Sequence, residues 1–153
     1  MLFPFWGLFY IGTFIKDTGK VETPEQIGGR LFAQCQACHN ANGSGSEAGG
    51  IGRPLWRGEV EKTFLNPAEQ IAFIRHGSCD KGTPYGNAKR PGGQHEAKGG
   101  MPAFGDQQIS NEQIAYLVSY ERNNLSGKPF PTTTIGKAPT TVPTTIDPTS
   151  ICG

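Results

Sequence analysis

Hydrophobic positions recur at helical spacing in three stretches of the chain and are sparse between them. Thr23-Pro24-Glu25-Gln26 has the make-up of a helix start, with Thr as N-cap, Pro at the first helical position, and an acid and an amide in the first turn. Ile27, Leu31 and Gln34 then fall on one side, which predicts a helix running to about Ala37. Gly28 and Gly29 interrupt it. An interior glycine costs roughly 1 kcal/mol against Ala, so one of the two is expected to permit a close helix crossing. Asn66-Pro67-Ala68-Glu69-Gln70 opens a second helix with apolar Ile71, Phe73 and Ile74, stopped by Gly77 after His76. A third follows Ser110, where Gln113 completes a capping box. Its i, i+3, i+4, i+7 face is Ile114, Leu117, Val118 and Glu121, with Tyr116 and Tyr120 one turn apart on a flank.

The intervening segments lack such periodicity. Residues 40–53 read as a Gly/Ser/Asn loop leading to Pro54-Leu55-Trp56, and residues 77–100 as a long loop rich in Gly and Lys. Loops of that length in a compact domain are either functional or disordered. Residues 2–15 carry no charge and include six aromatics. The stretch falls short of the ~20 apolar residues of a transmembrane helix. It also lacks the basic start and small-residue cleavage site of a signal peptide. Trp6 and Tyr10 suit a membrane interface, so an anchor or interfacial segment is expected, with a partner-docking helix or a core segment as alternatives. Met1 need not be the natural start, in which case this stretch is the outer end of a longer span. From Ser126 onward Pro and Thr dominate, which predicts an extended tail; such a tail is ordered only against its own domain or a neighbour. The expected organisation is 1–22 as hydrophobic anchor and linker, 23–125 as the folded domain, and 126–153 as the tail.

Composition narrows the domain further. A chain of 153 residues has room for one ordinary domain, and 35% hydrophobic content with 22 Gly and 12 Pro allows only a modest core. Small cores usually need an additional staple. A net charge of +1 gives no bulk electrostatic case for nucleic acid.

The staple is legible at Cys35-Gln36-Ala37-Cys38-His39. Two cysteines two residues apart and followed at once by histidine have the spacing that attaches a c-type haem. Each thiol can add to a vinyl group as a thioether, and the histidine is carried beneath the ring where its imidazole can ligate iron. The competing readings are a thiol redox pair and half a zinc site. The first lacks a βαβ setting and the second lacks another ligand pair. Haem attachment of this kind implies an extracytoplasmic compartment in bacteria, where the remaining cysteines, Cys79 and Cys152, can form a disulfide.

Residues 23–125 resemble the bacterial class I cytochromes c. The resemblance rests on Gly28 to Phe32, on Cys35-x-x-Cys38-His39, on Pro54-Leu55, on Gly99-Gly100-Met101-Pro102-Ala103-Phe104, and on the last helix with Tyr120. It implies a mainly α fold of short helices packed around one covalently attached haem, with long loops. It also implies His39 as proximal ligand and Met101 as distal ligand of the iron. The Pro54 carbonyl would receive the Nδ1 proton of His39, and Tyr120 and Leu117 would meet Gly28 and Leu31 where the first and last helices cross, close to the cofactor. A soft thioether favours ferrous iron, and a Gly-Gly-Met-Pro loop is a poor place for a core-filling methionine. The rival ligands are His76, which ends a helix, and His95, expected to be solvated in the loop. A metal site from His76, Cys79 and His95 is a further alternative.

The sequence departs from the small members of this family in its two appended segments and in more than twenty residues between Gly77 and Met101. That insertion holds Lys81, Lys89, Arg90 and Lys98, with Arg75 at its base, and reads either as a solvated loop or as a surface for an acidic redox partner. The functional expectation is electron transfer with no catalysis of its own. The setting is a tethered subunit on the periplasmic or extracytoplasmic face of a bacterial membrane. Its neighbour would be a quinol-oxidising complex, terminal oxidase, dehydrogenase or photosynthetic reaction centre. The alternatives are a haem enzyme or sensor with an exchangeable sixth ligand and a diffusing periplasmic carrier.

Overall fold

A computed structural model describes residues 22–105 and 108–127. The hydrophobic segment 2–15, most of the Pro/Thr tail and Cys152 lie outside the described residues, as do the expectations placed on them. The domain is mainly α, with the short helices of the class I cytochrome c fold: α1 (Pro24–Phe32), α2 (Gln36–His39), α3 (Glu59–Thr63), α4 (Pro67–His76) and α5 (Asn111–Tyr120). Among the described residues, no helix is long and apolar enough to cross a membrane.

The helix starts follow the local chemistry of the sequence. Thr23 and Gln26 form a capping box on α1, and Ser110 and Gln113 form one on α5. Asn66 accepts from the Ala68 N–H ahead of α4. The first helix does not run to Ala37, however. After Phe32 the chain tightens into three-residue hydrogen bonds, Gln34 to Leu31 and Cys35 to Phe32, before α2 restarts around the cysteine motif. The last helix continues beyond Tyr120 as a π turn over Glu121–Ser126, closed by Gly127 in the left-handed region.

The long insertion is an ordered hairpin. Strands β1 (Pro84–Tyr85) and β2 (His95–Glu96) pair antiparallel, with Pro84 opposite Glu96 and Tyr85 opposite His95. Tyr85 and Ala97 pack with Phe64, Ala72, Phe73 and Cys79 into a small second core, and the Tyr85 ring stacks 4.8 Å from Phe73. Two-residue strands hold too few alternations for a periodicity to be visible. The main core gathers Phe32, Ile71, Ile74, Ile114, Leu117 and Val118. Full burial of side chains of this size is worth ~1.5–3 kcal/mol each.

Helices α1 and α5 cross at Gly28. A Cβ there would collide with the Tyr116 carbonyl oxygen and come within 2.7 Å of Tyr120 Cβ. At Gly29 the nearest atom would be the edge of the Tyr120 ring at 3.1 Å. Gly28→Ala is therefore expected to destabilise the domain by ~1–3 kcal/mol through overpacking, despite the better helix propensity of Ala. Gly29→Ala, which meets only a side chain able to shift, should cost less in the same denaturant titration.

Candidate functional site

The cysteine motif opens onto a cavity of about 450 Å³. Cys35, Cys38 and His39 line it together with Met101, Pro102 and Phe104, and Pro54, Leu55, Ile74 and Leu117 are among the apolar walls. The structure thus brings together Cys35, Cys38, His39, Met101 and Pro54. Tyr120 is not among the lining residues. Its ring lies 5.6 Å from that of Phe32 and covers Gly29, so the helix crossing holds it away from the cavity.

His39 is fixed by a backbone carbonyl one residue earlier than expected. Its Nδ1 lies 2.7 Å from the carbonyl oxygen of Arg53, not of Pro54. A carbonyl can only accept, so Nδ1 carries the proton and Nε2 keeps its lone pair. Burial holds the imidazole below its ordinary pKa of 6.5, with the Arg53 hydrogen bond pulling the other way, which keeps the ring neutral. The carbonyl of Arg53 is in place because Gly52 N–H donates to Cys38 O at 2.8 Å and Ser46 N–H donates to Gly52 O at 2.8 Å. Gly52 faces the ring itself: a Cβ there would lie 2.7 Å from the imidazole.

Met101 is held by the end of α4. Ser78 N–H donates to Met101 O at 3.1 Å, and Gly77, with φ +80°, lies so close to residues 101–103 that a Cβ would be 2.9 Å from the Met101 carbonyl oxygen. Arg75 donates from one nitrogen to Phe104 O at 2.6 Å and Ile109 O at 2.8 Å, pinning the far side of the same loop to the start of α5. It therefore serves as a structural clamp between the Met101 loop and the start of α5.

His95 is not solvated. Its side chain is 13% exposed, stacks against Tyr85 and is pushed down to about 4, by burial first and then by the Arg90 and Arg53 cations. Arg90 is bound to Glu59 and to the carbonyls of Pro91 and Gly93, which leaves Lys81, Lys89 and Lys98 as the exposed cations of the insertion. His76 is exposed at the end of α4. Among the described residues there is no cluster of three or more His, Cys, Asp or Glu able to hold a metal.

Two features of the wall escaped sequence reading. Arg53 Nε and His95 Nε2 are buried without a hydrogen-bond partner, and both residues line the cavity. Glu121 also lines it and is 4% exposed. The signal for Glu121 was an acid at the i+7 position of an apolar helix face; nothing in the glycine-rich surroundings marked Arg53, and the two-residue strand β2 gave no sign that His95 is buried.

A family model described as Cytochrome c matches residues 26–123. No curated protein and no solved structure matches the chain.

Gly52→Ala is expected to push the imidazole off the Arg53 carbonyl and to cost ~1–3 kcal/mol of stability. Nitrogen NMR of His39 should then lose the single Nδ1-protonated form, and a denaturant titration should report the stability change.

Proposed function

The chain belongs to the cytochrome c family, and from that premise we propose electron transfer through one c-type haem held by Cys35 and Cys38, with His39 and Met101 as axial ligands. The observation that carries this reading is that all four side chains line one cavity, although Met101 is over sixty residues from the cysteine motif. Bound there, the haem supplies a one-electron couple between ferric and ferrous iron.

The residues present fit such a group. The Cys35 and Cys38 thiols are free for thioether bonds. The tautomer fixed by Arg53 leaves the His39 Nε2 lone pair available to iron, as outer-shell partners of ligating histidines do. The unpartnered Arg53 Nε–H, and the unpartnered His95 Nε2 in its protonated tautomer, suit the two carboxylates that a haem carries. Pro54, Leu55, Phe104 and Leu117 supply apolar wall for the ring to pack on, and a Met101 thioether would favour the reduced state.

The same reading extends to pairing and placement. Cys79 is buried and absent from the free thiols, and Cys152 is the one other cysteine of the chain, which supports a disulfide between them. Covalent haem and a disulfide both suit the extracytoplasmic face of a bacterial membrane. The uncharged, aromatic residues 2–15 and the Pro/Thr tail suit attachment to a redox complex there, whether a quinol-oxidising complex, terminal oxidase, dehydrogenase or reaction centre. Exposed Lys81, Lys89 and Lys98 suit an acidic partner surface.

Met101→Ala should keep its covalent haem while its reduction potential falls by a measurable part of the ~0.8 V range that axial ligands control. Carbon monoxide should then bind the reduced protein rapidly; an unchanged spectrum and potential would assign the sixth position to another residue. Non-reducing peptide mass spectrometry should recover Cys79 and Cys152 in one linked fragment, and two free thiols would exclude the pairing.

A further inference from the structure

Glu121 stands where a helix face made by Ile114, Leu117 and Val118 calls for another apolar residue. The helix widens into its π turn at this residue, and both Glu121 and Arg122 are buried there. The two make no direct ion pair among the described residues. The Gln70 side chain stands between them: its Nε2 donates to Glu121 Oε2 at 2.6 Å, and its Oε1 accepts from Arg122 Nε at 2.8 Å. Arg122 gives a further hydrogen bond to Phe64 O at 2.8 Å. The carboxyl thus has a neutral amide as its partner, in the wall of the cavity assigned above to the haem. An apolar residue of similar volume would be at least as stabilising in such a place.

We propose that Glu121 is a proton-binding site coupled to the haem's redox state, its carboxylate taking a proton from solvent on reduction and releasing it on oxidation. The inference rests on the haem reading. One electron arrives from the redox donor and up to one proton from water, forming an O–H bond on the carboxyl; both depart together. The coupling is electrostatic. Ferric iron carries one positive charge more than ferrous iron, so it favours the ionised carboxylate across a cavity of low polarity.

The surrounding groups leave Glu121 as the responsive one. Burial pushes it up to about 7, opposed by the Gln70 hydrogen bond and the Arg122 charge. Arg122 itself feels Glu61 of α3 and Glu69 of α4. Cys35 faces Glu121 from the turn before α2, with burial pushing its thiol up to about 12, and in the haem reading it is a thioether. On the rest of the cavity wall stand Glu59, held below its usual value by Lys62 and Arg90 against burial, Tyr85, raised by burial, and His95 near 4, together with Arg53, Lys98 and the ligand His39.

The test is a potentiometric titration of the holoprotein from pH 5 to 9. The wild-type potential should fall with rising pH through a window around 7, with a slope of at most ~59 mV per tenfold change in proton activity for a one-electron couple. Glu121→Gln should flatten that window, match the wild type at pH 5 and lie above it at pH 9. A flat wild-type curve, or an equal slope in the variant, overturns the proposal. If Glu121→Gln does not assemble, redox-difference infrared spectra of the wild type at pH 7 decide: a protonated-carboxyl band should grow on reduction and shift in Glu121→Asp, and its absence overturns the coupling. Failure of the haem reading would show first, as a missing covalent haem spectrum, and would overturn both; a flat potential in a protein with an intact haem spectrum overturns this inference alone.

Discussion

The approach of Gly28 to the backbone of Tyr116 sets the spacing of α1 and α5, and the rest of the domain is arranged around that contact. One end of α1 feeds directly into the tightened turn that presents Cys35, Cys38 and His39. The opposite face of α5 sends Leu117 and, one turn later, Glu121 to the cavity. A side chain at residue 28 would push the cysteine motif away from the wall it faces. The cost of an interior glycine, about 1 kcal/mol in helix propensity, is offset by the burial of Phe32, Ile114 and Val118, each essentially solvent-free.

Close backbone approaches recur around the cavity, and they make the site a matter of placement more than of side-chain identity. Gly52 lies close against the His39 ring, and Gly77 lies against residues 101–103. Both glycines turn loops into walls. Met101 connects the two halves of the structure: among the described residues it alone packs against both the main core and the smaller core beneath the hairpin. Shifting the hairpin would therefore shift the Met101 side chain.

Caps, periodicity and the five-residue motif were readable because each is encoded locally. Thr23 with Gln26 and Ser110 with Gln113 lie within one turn of each other, and the face from Ile114 to Glu121 spans two. What stayed hidden was settled by contacts distant in sequence. The acceptor for His39 is the Arg53 carbonyl because Cys38, Ser46 and Gly52 share hydrogen bonds that no local pattern announces. The hairpin owes its order to the Phe64, Phe73 and Tyr85 rings, which come from three separate segments. The burial of His95 accompanies its pairing opposite Tyr85, and Tyr120 stays outside the cavity with its ring over Gly29 and beside Phe32 at the helix crossing.

The network of Gln70, Glu121 and Arg122 is the part of the domain least explained by stability. Two ionisable side chains are taken out of water, and burial moves each toward its neutral form, lowering Arg122 and raising Glu121. Folding alone would favour the neutral acid. A carboxyl raised from 4.5 to about 7 binds its proton more tightly in the native state than in the unfolded chain, so its contribution to stability is full below 4.5 and is lost as pH rises through about 7. The domain therefore sacrifices stability at neutral pH to keep this residue. Gln70 makes the arrangement tolerable, since its amide can donate to the carboxyl while accepting from the guanidinium. That leaves the proton occupancy of Glu121 open to any charge that changes within the cavity. A structural salt bridge would have closed that option by holding the carboxylate permanently ionised, whereas an amide partner leaves both protonation states within reach.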